Sequence, residues 1–270
     1  MSIAVPSCQP DEEARSQPMA TRLHSAGNEE KFNSIMQGVN RVAERIVSTG
    51  IHTIFLLDRS ARFFEKALRE AIADFGGGSH GVQINFIDPT YIKEFVMAKC
   101  SYTKEDSTES GGYSLDETNL AEITSRFDAA QFPSPDSTDS ADGGIIVIDE
   151  FVEYGKSLFA AYALLKRMYP DKKVHADTFA RNNRLFRPRR IEDKTHLEFL
   201  EQLRNVPELF GTSITLPFIG NEELHVLDDN HDGFIAQPKK LTLDELAKRM
   251  REIPVISDEI TQRVRALRIA

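Results

Sequence analysis

Ile145-Ile-Val-Ile148 constrains this chain more than any other segment. Four β-branched residues in succession favour a strand, because their stiff side chains suit an extended backbone. The run is continuous rather than alternating, so the strand is buried. Two shorter runs precede it, Thr53-Ile-Phe-Leu-Leu57 and Val82-Gln-Ile-Asn-Phe-Ile87. Between those two lies a stripe at helical spacing, Phe64, Ala67, Leu68, Ala71, Ile72 and Phe75, closed by Gly76-Gly-Gly78. Strand–helix–strand is the unit that builds parallel sheets.

The surrounding pattern completes the layout. Apolar residues from Phe32 to Val47 recur at three and four, which predicts an amphipathic helix opened by Asn28 and closed near Gly50. A second stripe from Leu158 to Tyr169 follows the Ile145–Ile148 run, and Lys173 to Phe179 reads as a fourth strand. The expected fold class is therefore α/β, a mainly parallel open sheet flanked by helices, with a helical C-terminal addition. Residues 1–27, rich in Ser, Pro, Gln and charge, read as a disordered leader, residues 28–190 as the core and residues 191–270 as a mostly helical region. Helices are expected from Leu115 (with a Ser114/Glu117 capping box) and over Glu192–Arg204, Leu243–Glu252 and Asp258–Leu267. Phe132–Asp142 reads as a linker and Ser213–Phe218 as a β-like stretch.

Composition narrows the function classes. Lys and Arg number 33 against 42 Asp and Glu, a formal charge of −9. An acidic balance argues against duplex nucleic acid as partner, since a phosphate backbone demands clustered cations. No run reaches the roughly 18 apolar residues that would span a membrane. Cys8 and Cys100 are too few for a disulfide framework or a cysteine metal site, and the start of the chain lacks the basic and apolar regions of a signal peptide. These features read as a cytoplasmic protein of a reducing compartment.

The chemistry concentrates after the Ile145–Ile148 run, in Asp149-Glu150-Phe-Val-Glu153-Tyr154-Gly155-Lys156-Ser157. The expected arrangement is a buried strand ending in two adjacent carboxylates, a tight turn, and a helix opening at Gly-Lys-Ser. Ligands of open parallel sheets sit at the carboxyl ends of strands. A helix N-terminus offers N–H groups and the positive end of a dipole, which suit a phosphate. One reading is a P-loop, in which Gly155-Lys156-Ser157 forms the end of G-x-x-x-x-G-K-[ST]; its first Gly then falls at Glu150, an acid beside a polyphosphate. In the other, the acids hold the vicinal hydroxyls of a ribose, directly or through Mg2+, and the turn beyond them cradles a single 5′-phosphate. The plainest alternative is a strand-end turn with solvated acids.

Four apolar residues, two acids, a short turn and a phosphate loop resemble the signature of the type I phosphoribosyltransferase family. The resemblance runs through Asp149, Glu150, Glu153, Gly155, Lys156 and Ser157, with Tyr154 where the family usually has Thr. It implies a pentosyltransferase of nucleotide metabolism that binds 5-phosphoribosyl 1-pyrophosphate and Mg2+, passes the phosphoribosyl group to an unidentified, nucleobase-like acceptor and releases pyrophosphate. Asp149 and Glu150 would hold the ribose hydroxyls and Mg2+, Tyr154–Ser157 the 5′-phosphate, and Glu153 would sit near the incoming nucleophile. Two further segments fall in the family's order. Leu57-Asp58-Arg59-Ser60-Ala61 resembles the pyrophosphate-binding turn, where Arg59 or Arg62 offers a forked guanidinium. Phe95–Tyr102, with its Ser101-Tyr102 pair, resembles the mobile lid. The resemblance covers about residues 30–185. Purine enzymes of the family carry a Lys after the fourth strand; here Arg181 stands nearby. A non-catalytic phosphoribosyl-ligand sensor on the same fold is the second reading and a P-loop nucleotide-binding protein the third. The partners implied are small molecules, and a homo-oligomer is left open.

Two motifs stand outside that picture. Asp228-Asp-Asn230-His-Asp232-Gly233-Phe-Ile235 has the spacing of half an EF-hand loop, but its twelfth position is Lys239, and an Asx-rich turn accounts for it. Arg184, Arg187, Arg189 and Arg190 read as a solvated loop or the entrance to an anionic ligand's site.

Overall fold

The computed structural model describes residues 29–57, 61–78, 81–87, 118, 144–186, 194–209 and 243–269. The leader, the Asp58–Ser60 turn with Arg59 and Ser60, the Phe95–Tyr102 segment with Ser101 and Tyr102, the linker, Ser213–Phe218 and the 228–235 loop lie outside the described residues. So do Arg187, Arg189 and Arg190 and, apart from Thr118, the helix expected from Leu115.

Helix α1 (Glu29–Thr49) leads into strand β1 (Thr53–Leu57). A 3-10 turn (Ala61–Phe64) and α2 (Glu65–Phe75) cross to β2 (Gln83–Ile87). Then come β3 (Ile145–Val152), α3 (Lys156–Met168), β4 (Val174–Arg181), a second 3-10 turn (Asn183–Phe186), α4 (Lys194–Leu203) and α5 (Leu243–Ile269). The strands form one sheet in the order β2-β1-β3-β4, and every pairing is parallel.

Both faces of the sheet are covered, as the unbroken apolar runs require. Ile54, Leu56, Ile146 and Ile148 face α1, α2 and α5. Phe55, Leu57, Ile145 and Val147 face α3 and α4. The expected stripes are the buried ones: Phe32, Ile35, Met36, Val39 and Val42 of α1 are at most 3% exposed. Burying an Ile, Leu or Phe side chain contributes about 1.5–3 kcal/mol, so these two layers supply most of the driving force for the fold.

Three expectations change. The strand does not end at the two acids but runs on to Val152. β4 extends to Arg181 alongside it, and the ladder gives Phe151 and Val152 partners in Ala180 and Arg181. The two C-terminal helices are one, α5, which passes straight through Pro254. Pro254 is exposed, so its ring meets solvent rather than packed side chains. The helical C-terminal addition packs on the core: Ile256, Ile260 and Val264 join the same cluster as Ile35 and Leu68. Asn40 Nδ2 donates to the Val264 carbonyl (3.0 Å), and Arg265 pairs with Glu70 (2.6 Å).

Candidate functional site

The strand order sets where a ligand can sit. From β1 the chain crosses to β2 over α2, on the α1 side, whereas β3 crosses to β4 over α3, on the opposite side. The crossovers diverge between β1 and β3, and by the rule for open parallel sheets the ligand crevice is expected there, at the carboxyl ends of the strands. Leu56 pairs with Ile148, so β3 outruns β1 from about Asp149 onward. The acid pair, the turn and the start of α3 therefore all belong to this edge.

The ladder itself changes at the acids. Pairing is continuous from Ile145/Val174 to Asp149/Thr178 and resumes at Phe151/Ala180, skipping Glu150 and Phe179. Beyond the gap the alternation reverses: Phe151 packs on the α1 side and Val152 on the α3 side. A close approach of α1 coincides with the gap. Gly38 of α1 meets the backbone of Phe179 so closely that a Cβ there would fall 2.0 Å from the Phe179 carbonyl oxygen. Asp149 is half-buried and accepts the backbone N–H of Glu150 on Oδ1 (3.0 Å), whereas Glu150 is buried.

The turn is built around Gly155. Its φ of 78° is left-handed, and a Cβ there would come within 2.6 Å of Leu185 Cδ1 and 3.3 Å of Phe199 Cε1. Only glycine combines that conformation with that contact. Gly155 caps α3, its carbonyl accepting the N–H of Phe159 (2.8 Å). The N-cap residue, Gly155, has no side chain of its own to cap the helix, and no acid occupies the first turn; the positive end of the dipole lies here and suits an anion. Glu153, Lys156 and Ser157 are half-buried here, and Tyr154 is 38% exposed. Behind the loop, Phe159, His196 and Phe199 pack ring to ring, with centroids 4.6 Å apart for Phe159–His196. The support for the loop thus comes from α4, which carries no recognisable motif.

Two arginines find local partners. Arg62 lies over the Phe86 ring, 4.3 Å from its centroid, at the carboxyl end of β2. Arg181 is held by Glu208 (3.1 Å) and the Arg204 carbonyl (3.4 Å) and covers Phe186. Its guanidinium is part of the frame at the end of β4.

A second charged group escapes sequence reading. Asp177 of β4 has no exposed surface and pairs with Arg41 Nη2 (2.7 Å) and Arg45 Nη1 (2.6 Å) of α1. His175 lies beside them, with Nδ1 3.4 Å from Arg45 Nη2. Burial, Arg45 and Lys173 push its imidazole down to about 4, against the opposing pull of Asp177. The available signal was Arg41 and Arg45 four apart beside the α1 stripe, and Asp177 in the middle of the fourth strand.

Among the described residues no three or more His, Cys, Asp or Glu side chains gather as a metal cluster. Mg2+ commonly uses one or two carboxylates together with ligand phosphates and waters, a donor set that Asp149 and Glu150 fit. No helix of the described residues is long and apolar enough to cross a membrane.

No family model matches the chain, and no curated protein does. Among solved structures, the hypoxanthine phosphoribosyl transferase of Trypanosoma cruzi is similar at 15% identity and a TM-score of 0.31, over 62% of this chain and 71% of that one.

Proposed function

We propose that this chain is a phosphoribosyltransferase-like protein that binds 5-phosphoribosyl 1-pyrophosphate with Mg2+ and passes the phosphoribosyl group to an acceptor, releasing pyrophosphate. One observation supports the reading: the acids of β3 and the Gly155-capped start of α3 lie within one short segment at the carboxyl end of β3, next to the point between β1 and β3 where the crossovers diverge. Sugar-binding and phosphate-binding groups are thereby brought to one edge of the sheet. In this reading the N–H groups after Gly155, with Tyr154, Lys156 and Ser157, take the 5′-phosphate. Asp149 and Glu150 address the ribose hydroxyls and Mg2+, which when bound neutralises charge on the leaving pyrophosphate. Glu153 stands near the incoming nucleophile as base. By the resemblance, Arg59 and Ser60 are assigned to binding the pyrophosphate, and Ser101 and Tyr102 to closing over the donor. The bond from C1 of the ribose to pyrophosphate breaks with its electron pair leaving on oxygen, and the acceptor's lone pair forms the new bond. The residues position the reactants and stabilise charge.

A non-catalytic sensor for the same ligand is favoured by Tyr154, an exposed ring where the family's hydroxyl contact is expected. Calorimetric titration with the phosphoribosyl donor and Mg2+ tests the binding site. Saturable binding is expected, weakened at least about tenfold in Asp149→Asn/Glu150→Gln by loss of charge-assisted contacts. Equal affinity in that variant overturns the assignment. Pyrophosphate release with a panel of nucleobases separates enzyme from sensor. Tight ATP binding that is lost in Lys156→Ala favours a P-loop protein instead.

A further inference from the structure

We propose that Arg45 and Gln202 seal the outer edge of β4 and thereby prevent strand addition by a second copy of this chain. An edge strand presents a row of N–H and C=O groups, a template for pairing with another chain. Among the described residues, β4 is the last strand of the sheet on its side, and its outer edge is bridged by the chain's own backbone only at Arg181, which pairs in parallel with Glu208. The N–H of Ile145 donates to the Lys173 carbonyl (2.8 Å). Alternation along a parallel ladder then directs residues 173, 175 and 177 inward and the peptide groups of Val174, Ala176 and Thr178 outward.

Those outward groups are taken by side chains from both layers. The Ala176 N–H donates to Gln202 Oε1 of α4 (2.9 Å), and its carbonyl accepts from Arg45 Nη1 of α1 (3.4 Å). The Thr178 N–H donates to Asp177 Oδ1 (2.8 Å), and its carbonyl accepts from Arg41 Nη2 (2.5 Å). Each cap is itself held. Asp177 pins both arginines, and Gln202 Nε2 donates to the Tyr162 hydroxyl (3.1 Å). Two helices on opposite faces thus close over the N–H and the C=O of one residue, and Ala176, Asp177 and Thr178 have no exposed surface. Small, β-compatible residues with buried flanks would otherwise make a flat and receptive edge.

The double variant Arg45→Ala/Gln202→Ala opens both the N–H and the C=O of Ala176. Arg41 still pairs with Asp177, so no buried carboxylate is stranded. Light scattering of the full-length variant is expected to show a concentration-dependent rise in mass beyond that of the wild type. In dilute solution its Ala176 amide should exchange roughly fivefold faster, the value of about one hydrogen bond. A core variant matched in melting temperature, such as Ile72→Val, should keep the wild-type mass. A folded double variant with the wild-type mass at every concentration overturns the proposal, as does equal association in the core variant. Where the double variant does not fold, Gln202→Ala alone decides: faster Ala176 exchange supports the cap, and unchanged exchange overturns it.

Discussion

Asp177 has no exposed surface, yet it anchors two guanidinium groups and lends an oxygen to the Thr178 N–H. A buried charge persists only when paired and hydrogen-bonded, because desolvation otherwise outweighs its attraction. The neighbouring imidazole is held in the opposite condition, with His175 kept neutral down to about pH 4 by burial and by Arg45. In the unfolded chain it takes up a proton below its ordinary value of 6.5. Between those limits the unfolded state binds more protons, so stability falls as pH drops from about 6.5 to about 4. The loss over that window is about 3 kcal/mol for a shift of this size. Urea midpoints measured across the window should show it in the wild type and a flatter limb in His175→Gln. Parallel curves for the two proteins would exclude His175 as the source.

At the scale of elements, one close approach lies level with the acid pair. α1 rests on the β4 backbone through Gly38, and the ladder skips a pair at that level, opposite Glu150. Gly38→Ala inserts a methyl 2.0 Å from the Phe179 carbonyl oxygen. Neither backbone can yield cheaply, so a loss of at least about 2 kcal/mol is expected from overpacking, together with weaker binding at the crevice. A melting temperature equal to the wild type would mean that α1 shifts without cost. The elements differ in how far sequence reveals them. Ile145–Ile148 and the α1 stripe were plain, because a continuous or periodic apolar pattern reports burial directly. The extension of β3 through Glu150 was not, because ladder partners from β4 outweigh two acids that read locally as a turn. The break expected between Glu252 and Asp258 was false for the same kind of reason. Packing of Ile256, Ile260 and Val264 holds α5 continuous despite a missing N–H, a fault of about 3 kcal/mol in a helix interior.

At the scale of the molecule, the C-terminal helix belongs to the central layer. Ile260 is fully buried among residues of α1 and α2. Ile260→Ala should therefore cost about 3 kcal/mol, and the whole chain should still unfold in a single transition by urea, read by far- and near-ultraviolet dichroism. A separate early transition confined to the helical signal would show instead that α5 melts alone. The candidate site divides along similar lines. The residue types of the Asp149–Ser157 segment pointed to sugar and phosphate chemistry, because they are a local string whose chemistry needs no partner. By itself the sequence determined the α/β class, the strands and most of the helices, since each follows from apolar spacing within a dozen residues. Only the tertiary structure decided that the crossovers diverge between β1 and β3, that Leu185 and Phe199 shape the turn at Gly155, and that Arg41 and Arg45 reach Asp177. Those contacts join residues from about 30 to 140 positions apart, and no local pattern encodes which distant side chain will fill a given space.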